Sequence, residues 1–218
     1  MKGVVLFDLD HTLVDRRTAF LSWAERFADD RGLGAGAVEV LVALDADGTA
    51  TREEVFGVAR RVLALPDDVD ELIAAYRLTY FEHYTPDPAV SAALGALKEA
   101  GWKVGVATNG PPSQREKLER AGLADLVDGC CISEEVGVAK PDPRMFEAAV
   151  SMCSPCSKRF AAGYMVGDHP VTDIAGGRAA GLRTVWLRRG RAWDASMPQP
   201  DASVDTLTEA VELILHHS

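Results

Sequence analysis

An α/β fold with a doubly wound parallel sheet and a small inserted helical domain is predicted by three features of the 218-residue chain. Largely apolar runs without alternation recur at Val4 to Phe7, Lys103 to Thr108, Gly163 to Gly167 and Arg183 to Leu187, as in strands buried on both faces. From about residue 86 onward such strands alternate with helical patterns, the arrangement that builds a parallel sheet. Between about Asp15 and Tyr84 the strand signal is lost and only helical spacing remains. The expected organisation is therefore an α/β core from residues 1–14 and 86–218, interrupted by a helical cap from 15–85.

Each element has its own signal. Gly3 to Leu13 opens the chain with a strand that ends in two carboxylates, Asp8 and Asp10. Aspartates also serve as turn residues, so the pair alone reads either way. In the insertion, Phe20, Trp23 and Phe27 share a helical face, as do Val55, Ala59 and Val62, and Leu72, Ile73, Tyr76 and Tyr80. Thr51 to Glu54 has the form of a capping box. The aromatic positions read as the core of this small bundle. Asp87-Pro88 is an N-cap followed by proline at the first helical position, and Val90, Leu94 and Leu97 form that helix's buried stripe. Further helices are expected at Ser113 to Ala121, Pro143 to Met152, Pro170 to Ala180 and Leu207 to His216, with a short strand at Gly129 to Ser133. Arg188 to Asp201, rich in Arg, Gly and Pro, reads as a surface loop.

Composition narrows the function. A hydrophobic fraction of 47% supports a real core, and a net charge of -10 argues against nucleic acid or an anionic membrane surface as the main partner. No run approaches the length of a membrane span, and the first turn comes too early for a signal-peptide core, so a cytoplasmic protein is expected. The cysteines, Cys130, Cys131, Cys153 and Cys156, include one C-x-x-C, but no second pair or histidine cluster completes a zinc set. They read as structural residues.

Three more strand ends carry polar residues where the first carries Asp8. The second ends in Thr108-Asn109-Gly110 before a helix start, where a hydroxyl and backbone N–H groups converge as an anion would require. Lys140, one of only six lysines, stands before a capped helix at Pro143. Gly167-Asp168 ends another strand, with Asp173 on the first turn of the next helix and able to turn back to the same edge. The set resembles the haloacid dehalogenase superfamily. The D-x-D-x-T of Asp8, Asp10 and Thr12, then Thr108, Lys140 and the G-D-x-x-x-x-D of Gly167, Asp168 and Asp173 stand in that family's order, and the insertion resembles its helical cap type.

The resemblance implies a phosphatase acting through an aspartyl-phosphate on a small phosphorylated metabolite. Asp8 would be the nucleophile, and Asp10 would protonate the leaving oxygen and then deprotonate the attacking water. Leu9, Thr108, Asn109 and Lys140 would hold the phosphoryl group. Asp8 and Asp168 with a backbone carbonyl suit Mg²⁺, Asp10 joins them in the metal set, and Asp173 would support that shell from outside. Relatives that cleave carbon–halogen bonds lack an acid at the place of Asp10, because a halide leaves without a proton. His11, where many relatives have Gly, and His169 read as turn residues with solvated rings. A phosphomutase using the same aspartyl-phosphate is the alternative, and a non-catalytic binding module a weaker one. Arg16, Arg17, Trp23, Arg52, Arg77 and Tyr80 fit either substrate contact or cap core. Sugar phosphates, nucleotides and phosphoglycolate all suit the motifs, and oligomeric state is not legible in one sequence.

Overall fold

The computed structural model describes residues 2–154 and 163–217. By contact density the chain divides into two compact units, one of Met1–Val14 with Pro86–Ser218 and one of Asp15–Thr85.

The first unit is built on a six-stranded, all-parallel sheet of β1 (Val4–Phe7), β2 (Lys103–Thr108), β3 (Gly129–Ile132), β4 (Gly163–Gly167), β5 (Arg183–Leu187) and β6 (Ala202–Val204), in the order β3-β2-β1-β4-β5-β6. All four residues of β1 are buried, as its unalternating sequence requires. From β1 the chain winds out to β2 and β3, then crosses back to β4 on the other flank. The gap beyond the carboxyl ends of β1 and β4 is thus a topological switch point, the usual ligand crevice of such sheets. Val4, Leu6, Ala107, Cys131 and Met165 pack with Met145, Phe146 and Ala149 of the helix Pro143–Cys153. The helices Pro88–Glu99 and Leu207–His216 pack against each other and on the strands. Asp87 caps the first of these by accepting from Ala89 N at 2.8 Å.

Two stretches differ from the sequence expectation. The sixth strand was not anticipated, since three edge residues are too short to show periodicity; it is fixed by pairing with β5. The expected helix from Pro170 to Ala180 is a π-helical turn at Pro170–Ala175 followed by a short α-helix at Gly176–Ala179. Gly176 and Gly177 lie against Pro141 and Met165 so closely that a Cβ would fall 2.8 Å from either. Packing thus sets the helix's path there, and a wide turn is a common device where a side chain must be re-aimed.

The second unit holds four helices, Arg16–Asp30, Ala35–Asp45, Arg52–Val62 and Val69–Thr79. The capping box at Thr51 and Glu54 is formed. Phe20, Trp23, Phe56, Tyr76 and Tyr80 are buried against one another, with the Trp23 and Tyr76 centroids 4.9 Å apart, edge to face. They are the core of this unit. Arg16, Arg52, Trp23 and Tyr80 are used within it: Asp45 receives both arginines, Trp23 Nε1 donates to Thr79, and the Tyr80 hydroxyl meets that of Tyr84. Arg77 is exposed, as is Arg17.

Candidate active site

The strand ends of the α/β unit bring the motif residues together. Asp8 follows β1, and its backbone N–H continues the ladder by donating to Val166 O. The segment after it folds tightly on the Leu9 carbonyl, which accepts from the N–H groups of Thr12, Leu13 and Val14. This turn holds His11 at φ 62°, in the left-handed region, and places Asp10 on its rim.

Lys140 reaches the same point. Its Nζ lies 2.6 Å from Asp8 Oδ1 and 2.7 Å from Asp173 Oδ1. Asn109 locks the Lys140 loop in place, donating Nδ2 to Lys140 O and accepting Lys140 N, each at 2.9 Å. The Asn109 side chain is therefore committed to this clasp, which leaves its backbone for the phosphoryl contact expected of it. Asp173 is fully buried and also accepts from His169 N at 2.9 Å. The His169 ring is not merely solvated: its Nδ1 accepts from Val171 N and Thr172 N and caps the π-helical turn. Gly167 makes room for this arrangement, since a Cβ there would fall 2.4 Å from Asp173 Oδ2.

Asp8, Asp168 and Asp173 each offer an oxygen within 4.8 Å of the others. The Asp173 carboxylate lies within this cluster, and the Asp10 carboxylate does not. Burial pushes Asp8 up to about 7, with Asp173 adding to the rise and Lys140 opposing it. Asp168 is also raised, first by burial and then by Asp173, against the pull of Arg191. Burial disfavours the Lys140 ammonium, but Asp173 and Asp8 more than reverse this and raise it above its ordinary value. Arg191 Nη2 donates to Asp168 Oδ2 at 2.9 Å, and Trp186 Nε1 to the Asp168 carbonyl at 2.8 Å. Oxygen donors of this kind are of the type that hard divalent ions take.

Asp10 has a separate setting. Lys117 Nζ lies 2.8 and 2.6 Å from its two oxygens, and Gln114 Nε2 lies 3.2 Å from Oδ2 and 2.8 Å from the Thr108 hydroxyl. Sequence reasoning missed both residues. Their signal was available only as two polar side chains three apart on the helix Gln114–Arg120, where they read as an ordinary surface. Burial pushes the Cys130 thiol up to about 11 and that of Cys153 to about 12, and raises Cys131 as well, which disfavours the reactive thiolate, while Cys156 lies outside the described residues.

A site of this form, on this sheet, defines a class. The haloacid dehalogenase-like hydrolase family matches residues 2–181, and the chain belongs to that family. It is 35% identical to phosphoserine phosphatase of Thermus thermophilus, with 89% of this chain and 78% of that one covered. It is 33% identical to ribulose-1,5-bisphosphate 5-phosphatase of Halopiger xanaduensis, with 98% and 100% covered. Among solved structures it is similar to a 2-haloacid dehalogenase from Pseudomonas syringae pv. Tomato DC3000, at 28% identity, full coverage of both chains and a TM-score of 0.64. The chain is an enzyme of the phosphatase kind, a phosphoric monoester hydrolase. Among the described residues no helix is long and apolar enough to cross a membrane.

Proposed function

We propose that the chain is a Mg²⁺-dependent phosphatase that hydrolyses a small phosphorylated metabolite through an aspartyl-phosphate on Asp8. The observation that carries this reading is the separation of two carboxylate settings two residues apart. Asp8 sits in the Lys140 and Asp173 cluster, while Asp10 stands outside it with Lys117 and Gln114. This division supports a reading in which one carboxylate attacks and the other moves protons.

The Asp8, Asp168 and Asp173 oxygens fit Mg²⁺, which when bound neutralises phosphoryl oxygens and favours the ionised form of Asp8. Asp8 attacks phosphorus, the bond to the leaving oxygen breaks, and Asp10 gives that oxygen a proton. Water then attacks the aspartyl-phosphate, Asp10 takes the water's proton, and the Asp8–phosphorus linkage breaks to release phosphate. Lys140 offsets charge on the phosphoryl oxygens, and the Thr108 hydroxyl with the backbone at Leu9 and Asn109 holds them. Asp10 separates this chemistry from dehalogenation, in which the leaving halide needs no proton. The helical unit is read as a cap that excludes water and selects the substrate.

The test is phosphate release from a panel that includes phosphoserine and ribulose-1,5-bisphosphate, with Mg²⁺ and with chelator. Release is expected to require Mg²⁺, and Asp8→Asn to lower kcat by a factor on the order of 10⁴ to 10⁶ with the far-UV circular dichroism unchanged. Turnover retained in Asp8→Asn would remove the nucleophile assignment.

A further inference from the structure

Gln114 and Lys117 lie outside all four motifs, yet both are buried and stand one turn apart on one face of their helix. A lysine taken out of water is costly unless its charge is compensated, and a leucine would cover the same helix face without that cost. Lys117 is compensated by Asp10, meeting both carboxylate oxygens. Such a two-oxygen contact fixes the rotation of the Asp10 side chain. Gln114 has two amide hydrogens, and its Nε2 faces Asp10 Oδ2 and Thr108 Oγ1 together. A hydroxyl that accepts from Gln114 turns its own proton toward another acceptor, here the Asn109 carbonyl at a long 3.5 Å.

We propose that Gln114 and Lys117 are positioning residues of the phosphatase reaction. Lys117 fixes the Asp10 carboxyl group for proton transfer, and Gln114 makes the Thr108 hydroxyl a donor to a phosphoryl oxygen while tying it to Asp10. The proposal rests on the phosphatase reading above. Protons pass only through Asp10: one goes to the leaving oxygen as its bond to phosphorus breaks, and one returns from the attacking water. Lys117 keeps its protons throughout.

Two leaving groups separate this from a merely structural role. The wild type, Lys117→Met and Gln114→Leu are compared on glycerol phosphate, whose alkoxide must be protonated, and on p-nitrophenyl phosphate, whose phenolate leaves without help. In single turnovers, which isolate departure of the leaving group from the later hydrolysis common to both substrates, Lys117→Met is expected to slow release of glycerol by about 100-fold and release of p-nitrophenolate by no more than about threefold. Lys117→Arg restores part of the loss. Gln114→Leu is expected to raise KM and the inhibition constant of inorganic phosphate by about tenfold. An equal fall in the single-turnover release from both substrates, or no fall on glycerol phosphate, overturns the Lys117 role; unchanged phosphate inhibition overturns that of Gln114. If Lys117→Met does not fold, Lys117→Arg and Lys117→Gln decide by the same ratio of rates. Those failures leave wild-type turnover intact, whereas absence of Mg²⁺-dependent release from every monoester overturns the phosphatase reading and this proposal with it.

Discussion

Two buried charge clusters, one in each unit, have opposite balances. In the helical unit a single carboxylate, Asp45, receives two guanidinium groups, Arg16 through two bonds of 2.7 and 2.8 Å and Arg52 at 2.7 Å. In the α/β unit three carboxylates, Asp8, Asp168 and Asp173, share Lys140 and the half-exposed Arg191. Burial alone would push Asp45 and Asp8 the same way. The arginines win at Asp45 and hold its carboxyl below the ordinary range, while Asp8 rises to about 7 with an ammonium 2.6 Å away. At Asp8 burial outweighs its one ammonium partner, whereas at Asp45 two guanidinium groups outweigh burial, so the number of cations paired to the carboxylate separates the two clusters.

The contrast predicts different responses to losing one charge. Asp45→Asn strands two arginines, one of them deeply buried, and is expected to destabilise the helical unit by about 3–5 kcal/mol, read by urea denaturation. Because Asp45 is lowered on folding, its contribution is complete above the ordinary value of 3.8 and fades as pH falls below it. A loss within the range of neutral surface substitutions would dissolve the contrast.

Crowding the carboxylate cluster is expected to have a smaller effect. Gly167→Ala drives a Cβ into Asp173, which Lys140 and His169 N hold in place, and is expected to cost about 1–3 kcal/mol in stability. Calorimetry should show weaker Mg²⁺ binding in the same variant, and wild-type affinity there would argue that Asp173 is not part of the metal shell. The smallest effect is graded with pH. Burial raises Asp8 to about 7 in the folded, metal-free protein against 3.8 in the unfolded chain, so a proton on Asp8 favours folding, and this contribution is expected to be full below 3.8 and lost as pH rises through about 7. Mg²⁺ must displace that proton, and its apparent affinity is expected to fall about tenfold per pH unit below about 7 and to level off above. A flat profile from pH 5 to 8 would show that Asp8 is already ionised without the metal.

Strand ends were legible because each is a local property: an apolar run stops and a polar residue follows. Asp8, Thr108 and Asp168 could be placed on one sheet edge in that way, and the bundle core at Phe20, Trp23 and Tyr76 could be read from helical spacing. The sixth strand escaped because three residues carry no period. The π-helical turn that carries Asp173 escaped because it depends on the close packing of Gly176 and Gly177, which no spacing in the sequence announces.

By itself, then, the sequence determined which groups stand at the switch point and which residues form the helical core, since spacing along one element is enough to settle both. Only the tertiary structure decided who pairs with whom. Lys140 and Asp8 are 132 positions apart and Lys117 and Asp10 are 107 apart, so their contacts follow from the strand order and the path of the helices. The same holds for Arg16 and Asp45, 29 positions apart on neighbouring helices. A charge's partner sets whether it stabilises or reacts, and no local pattern encodes a partner brought in by the fold.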